Sequence, residues 1–111
     1  MAFSKARLYN RRSRLTAYFF KVLSHPARQE LLLKLAEDDS LPVEILAKYH
    51  PVSNSTVSKH MESLRTASFI KFKEMYPYIL YALNKKNIQL AKEYMLDFFD
   101  RLEKAMNKKQ S

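Results

Sequence analysis

Between Val52 and Ile70 the chain reads VSNSTVSKHMESLRTASFI, and directly after it the spacing of apolar residues changes from helical to alternating. A capped helix that runs straight into a strand pair leaves few architectures open. Ser53 is a good N-cap, because its hydroxyl can accept from the free backbone N–H groups of the first turn. Val57, His60, Met61 and Leu64 then recur at helical spacing and are expected to face inward. Asn54, Ser55, Ser58, Lys59 and Glu62 fall on the opposite side. There, short hydrogen-bonding side chains can approach base edges and Lys59 can reach a phosphate or a guanine. After Ala67, Ile70 and Phe72 alternate with Lys71 and Lys73. Ile79, Tyr81 and Leu83 alternate with Leu80 and Ala82, with Met75, Tyr76 and Pro77 as the turn between the two strands.

The segments before and after complete the expected element order. Leu15, Tyr18, Phe19, Val22 and Leu23 mark an amphipathic helix that should stop near Ser24, since Pro26 disfavours helical geometry in the residue before it. Pro26 is well placed to start the next helix, with Leu31, Leu32, Leu35 and Ala36 as its buried stripe up to the acidic turn Glu37-Asp38-Asp39-Ser40. A short third helix is expected from about Pro42 to Tyr49, and Pro51 keeps it from continuing into the Ser53 helix. Two helices with a short break make a helix-turn-helix. From about Lys86 to Lys108, Ile88, Ala91, Met95, Phe98, Leu102 and Ala105 are spaced alternately three and four, a seam that wants a partner helix.

Composition narrows the function classes. At 111 residues and 47% apolar content the chain fits one domain, read as a basic arm over residues 1–10 and a folded unit over 11–108. Cysteine is absent, which removes disulfides, thiolate zinc sites and thiol redox sensing. Glycine is absent too, which removes the phosphate-cradling loops of Walker and Rossmann type. No apolar run has membrane-spanning length and the start lacks a signal-peptide core, so a cytoplasmic protein without membrane contact is expected. Net charge is +9, unevenly placed: the first 35 residues hold eight bases against one acid, whereas residues 36–68 hold five acids against three bases. The balance suits a polyanionic partner.

With these motifs in place, the chain resembles the ArsR/SmtB family of bacterial winged-helix repressors from about Leu15 to Leu102. KVLSHPARQELLLKLAE carries that family's signature at Leu23, His25, Pro26, Ala27 and Arg28. Ser55, Thr56, Val57, Ser58, Lys59 and His60 stand where the family has a Ser-Thr-Val-Ser-Arg-His run, and YALN (residues 81–84) is similar to the end of its second wing strand. The resemblance implies a mainly α fold with a small β-hairpin in the order α-α-α-α-β-β-α. It also implies a homodimer through the first and last helices, and a palindromic operator in double-stranded DNA. The chain departs from the family in four places. Its only histidines are His25, His50 and His60, so the metal ligands common in the family are missing and no metal or other cofactor is expected. His50 and Pro51 replace the usual leucine and glycine of the turn. Ser68 stands where a helix-ending glycine is common, and the wing turn lacks a glycine or arginine tip.

The candidate DNA contacts are therefore Asn54, Ser55, Ser58 and Lys59, with Lys71 and Lys73 on the wing. Thr56 bonds either the backbone or a phosphate, and Arg28 either a phosphate or the partner of an internal salt bridge. Arg7, Arg11, Arg12 and Arg14 form either a phosphate-tracking arm or a solubilising tail. The dimer interface is assigned to Leu15, Tyr18, Phe19, Ile88, Ala91, Met95, Phe98 and Leu102. His60 reads as a satisfied core or half-buried histidine, and His25 and His50 as capping or turn residues. Glu93, Asp97 and Asp100 share a helix face and are read as solvated ion-pair partners, Asp97 with Arg101 and Asp100 with Lys104. No nucleophile with its base, catalytic carboxylate pair or metal triad can be assembled, so an enzyme is not expected. The expected function is a sequence-specific DNA-binding regulator of repressor type. The alternative is a winged helix that docks on a partner protein, with the net negative charge of the helix-turn-helix segment in its favour.

Overall fold

The computed structural model describes residues 8–48 and 51–109; His50, Tyr49 and Arg7 lie outside them. The element order is α1 (Arg11–Val22), α2 (Pro26–Glu37), β1 (Leu41–Pro42), α3 (Val43–Lys48), α4 (Asn54–Thr66), β2 (Ile70–Met75), β3 (Tyr78–Leu83) and α5 (Lys85–Lys109). This is a winged helix-turn-helix, with α3 and α4 as the helix pair and β2–β3 as the wing.

Local chemistry explains most of the boundaries. Asn10 caps α1, its side-chain oxygen accepting from the Ser13 N–H at 2.8 Å, and Leu23 closes the helix just before Pro26. Pro26 opens α2 at the first turn, where its missing N–H costs nothing. Helix α4 ends in a paired cap. Ser68 N–H bonds the Arg65 carbonyl at 2.9 Å, and Phe69 N–H bonds the Leu64 carbonyl at 3.0 Å. The cap requires positive φ at Ser68, which the structure places at 61°. The turn that departs from the usual glycine is thus made with a serine in left-handed geometry.

Three expectations change. The segment before α3 is a strand: Leu41 and Pro42 pair antiparallel with Tyr81 and Leu80, so the sheet has three strands in the order β1-β3-β2. Pro42 therefore sits outside the third helix, which begins at Val43. Met75 pairs with Tyr78, leaving Tyr76 and Pro77 alone at the wing tip, joined by a cis peptide. Ala36 is exposed, as is Leu33 at 59%, whereas Leu31 and Leu35 are buried. The stripe on α2 is thus split between the core and an open groove.

The core gathers α4's inner face, Val57, Met61 and Leu64, against Leu31 and Leu35 of α2 and Leu46 of α3. Phe69, only 1% exposed and absent from the pattern-based assignment, belongs to this core. Its ring lies 5.7 Å from that of Phe19, which in turn meets Tyr94 edge-on at 5.9 Å. Those three aromatics join α1, the end of α4 and α5, and so fix where the helix-turn-helix sits on its support.

Candidate nucleic-acid interface

The outer face of α4 is exposed to solvent. Ser53 accepts from the Thr56 N–H at 3.2 Å, and its hydroxyl lies 3.0 Å from those of both Ser55 and Thr56. The first turn therefore carries a cluster of three hydroxyls at the positive end of a helix, a setting that favours an anion such as a phosphate. Asn54, Ser55, Ser58 and Lys59 are all exposed, and Thr56 is half-buried. The side chains of Asn54, Ser58 and Lys59 make no hydrogen bond or ion pair among the described residues. Donors and acceptors are thus presented outward from a helix whose opposite face is locked in the core. Glu62 is held back by Arg65 at 3.6 Å.

Arg28 does not reach this surface. Its guanidinium donates from Nη1 to the Val22 carbonyl at 3.1 Å, from Nε to His60 Nδ1 at 3.2 Å, and from Nη2 to Ser63 Oγ at 3.2 Å. One side chain on α2 therefore clamps the end of α1 to the middle of α4, and the assignment of Arg28 to phosphate contact gives way to a positioning role. His60 is half-buried and accepts that bond, as the residue pattern implied, with the His25 ring 5.5 Å away. His25 occupies the N-cap position of α2 but makes no side-chain capping bond.

The wing flanks α4. Lys71 and Lys73 project from one face of β2 and are exposed. Phe72, on the other face, lies under the Arg65 guanidinium at 4.5 Å and beside the Tyr81 ring at 6.5 Å. Arg65 was not singled out from the sequence. Its i, i+3 spacing from Glu62 signals an ion pair, but nothing local signals the contact with a strand residue seven positions later.

Between α1 and α5, Arg12 bonds Asp97 through Nε and Nη2, both at 3.2 Å, and stacks on Tyr94 at 4.8 Å. Arg11, Arg12 and Arg14 lie in α1 rather than in an arm, and Arg12 ties α1 to α5. Asp97 takes this partner in place of the expected Arg101. Phe19 and Ala91, assigned to a dimer interface, are buried at 3% and 2% in the chain's own core and leave no surface for a second chain. Leu15, Ile88 and Met95 are half-buried against that core. Tyr18, Phe98 and Leu102 remain exposed, together with Phe99 and Met106. Among the described residues no group of three metal-ligating side chains comes together, and no helix is long and apolar enough to cross a membrane.

Solved structures share this architecture. An ArsR-like transcriptional regulator from Rhodococcus sp. RHA1 superposes with a TM-score of 0.71 at 19% identity, covering 86% of this chain and 90% of the other. The fold is that of the ArsR-type regulators. The transcriptional repressor BigR from Xylella fastidiosa matches at TM-score 0.62 and 25% identity, over 86% of this chain and 97% of its own. NolR from Sinorhizobium fredii gives 0.62 and 21% over the same shares. No protein-family model matches the sequence, and no curated protein does. In this architecture α4 is the second helix of the helix pair, and the β2–β3 hairpin follows it directly.

Proposed function

We propose that this protein is a transcriptional regulator of the repressing kind that binds a palindromic operator in double-stranded DNA as a homodimer. One observation carries the reading. Helix α4 is clamped from behind by its core face and by Arg28, while Asn54, Ser55, Ser58 and Lys59 are exposed in front. A rigid helix with short polar groups and a cation on its free face suits readout of a major groove. Lys71 and Lys73 supply phosphate contacts beside it. Phe98, Phe99, Leu102 and Met106, exposed along one stripe of α5, supply the surface on which a second copy packs. The structures that share the fold include one named as a transcriptional repressor, which supports the same reading.

The test is fluorescence anisotropy of the purified protein with the DNA upstream of its own gene and with a scrambled duplex of equal length, at physiological salt with and without a chelator. Preference for the upstream DNA that survives chelation is expected. Equal, salt-fragile binding to both duplexes would overturn the proposal in favour of a winged helix that docks on a partner protein.

A further inference from the structure

We infer that the groove between α2 and α5 is a binding site for a small apolar carboxylic acid, its chain lying among leucines and its carboxylate meeting Lys92. The groove has a volume of about 410 Å³, inside the roughly 300–1,000 Å³ range of small-molecule sites. Leu23, Leu32, Leu33, Leu83 and Met95 line its walls, and Phe69 is among its lining residues. It exists because α2 carries more apolar surface than the core consumes. Leu31 and Leu35 are buried, but Leu32 is only half-covered, Leu33 is 59% exposed, and Ala36 faces out. Leaving such a concave apolar surface in water is costly, and a ligand of matching shape relieves that cost.

The polar groups decide the ligand's class. Only Gln29 and Lys92 interrupt the apolar lining, and Gln29 is committed: its Nε2 donates to the Leu23 carbonyl at 2.6 Å. Lys92 is exposed and forms no ion pair with any described residue, unlike Lys34 on α2, which holds both Glu37 and Asp38. Lys92 lines the groove, and its ammonium, without an ion pair among the described residues, complements one anionic head on an apolar body. An amine would meet a like charge there, and an alcohol would forgo the charge-assisted bond. Phe69 joins the end of α4 to β2, so an occupant would touch the joint between recognition helix and wing. That regulatory meaning rests on the DNA-binding reading; occupancy of the groove does not.

The experiment is therefore done without DNA, which keeps failure of the site distinct from failure of the DNA-binding reading. Octanoate, octan-1-ol and octylamine are titrated calorimetrically into the full chain, well below the micelle concentration of the acid. Octanoate is expected to bind saturably at one per chain, with octan-1-ol at least tenfold weaker and octylamine weaker still. Ala36→Phe, which fills the groove from an exposed position, and Lys92→Glu, on the surface, should each weaken octanoate at least tenfold. Lys92→Arg should retain it. Thermal melts of the variants confirm folding, and Lys92→Glu carries the test should Ala36→Phe melt early. Absence of saturable binding, equal affinity for acid and alcohol, or unchanged affinity in Lys92→Glu would overturn the proposal.

Discussion

Arg28 belongs to the stretch that carries the resemblance to the ArsR/SmtB family, yet it faces inward. Its three hydrogen bonds link the last turn of α1 to two residues of α4. Arg28→Ala removes a charged donor and leaves the Val22 carbonyl, His60 Nδ1 and Ser63 Oγ without it. The expected cost is about 2 kcal/mol, read from urea unfolding. A residue whose task was to hold a phosphate would show the reverse pattern, with unchanged stability and a shallower salt dependence of DNA binding. Ser68 offers the opposite test. At φ 61° it occupies left-handed geometry that suits glycine, and Ser68→Gly should raise unfolding stability by about 1 kcal/mol. A destabilised Ser68→Gly would mean that the serine side chain contributes more than its backbone costs.

At the scale of elements, α4 has one face in the core and one exposed, and in the proposed DNA complex substitutions on the outer face should separate affinity from specificity. Lys59→Ala should weaken binding to all duplexes and reduce the salt slope by about one, because a phosphate contact releases a counterion whatever the sequence. Asn54→Ala should instead lose about 1–3 kcal/mol of discrimination at one base pair per half-site, measured by anisotropy on single-substituted operators. Equal loss on operator and random DNA for Asn54→Ala would remove it from the readout set. This helix was also the most legible part of the sequence. The Ser53 cap and the Val57, Met61 and Leu64 spacing are local signals, and local bonds realise them. Strand β1 was hidden because its two residues owe their geometry to Leu80 and Tyr81, some forty positions away, while Pro42 reads locally as a helix start. Ala36 was misplaced for a related reason. Periodicity identifies an apolar face, but not whether another element covers it. The candidate site shows the same limit: the exposed row on α4 follows from one helix, whereas the inward turn of Arg28 depends on where α1 and α4 meet.

For the whole molecule, shape bears on assembly. The radius of gyration is 17.2 Å, against about 13 Å for a compact domain of this length, and the longest dimension is 59 Å. Helix α5, 25 residues and about 38 Å long, accounts for much of the difference. Its stripe begins under cover, with Ala91 buried and Ile88 and Met95 half-buried, and then leaves the core. Phe98, Phe99, Leu102 and Met106 follow on the same face, exposed by 44–53%, with Phe20 of α1 meeting both phenylalanines edge-on at 5.9 Å. Completing the burial of each such side chain contributes about 1 kcal/mol, and two-fold symmetry counts each residue twice. Of the residues that the sequence pattern assigns to an interface, the chain's own fold buries Phe19 and Ala91. In the proposed dimer, Phe98→Glu with Leu102→Glu places four charges in one apolar contact. Sedimentation velocity at micromolar protein should then show a monomer with an unchanged helical spectrum. Because two α4 helices must act together to span a palindrome, operator affinity should fall by at least a hundredfold while binding to random duplex falls far less. A variant that stays dimeric would move the interface away from α5, and a monomer that keeps full operator affinity would dissociate DNA recognition from assembly altogether.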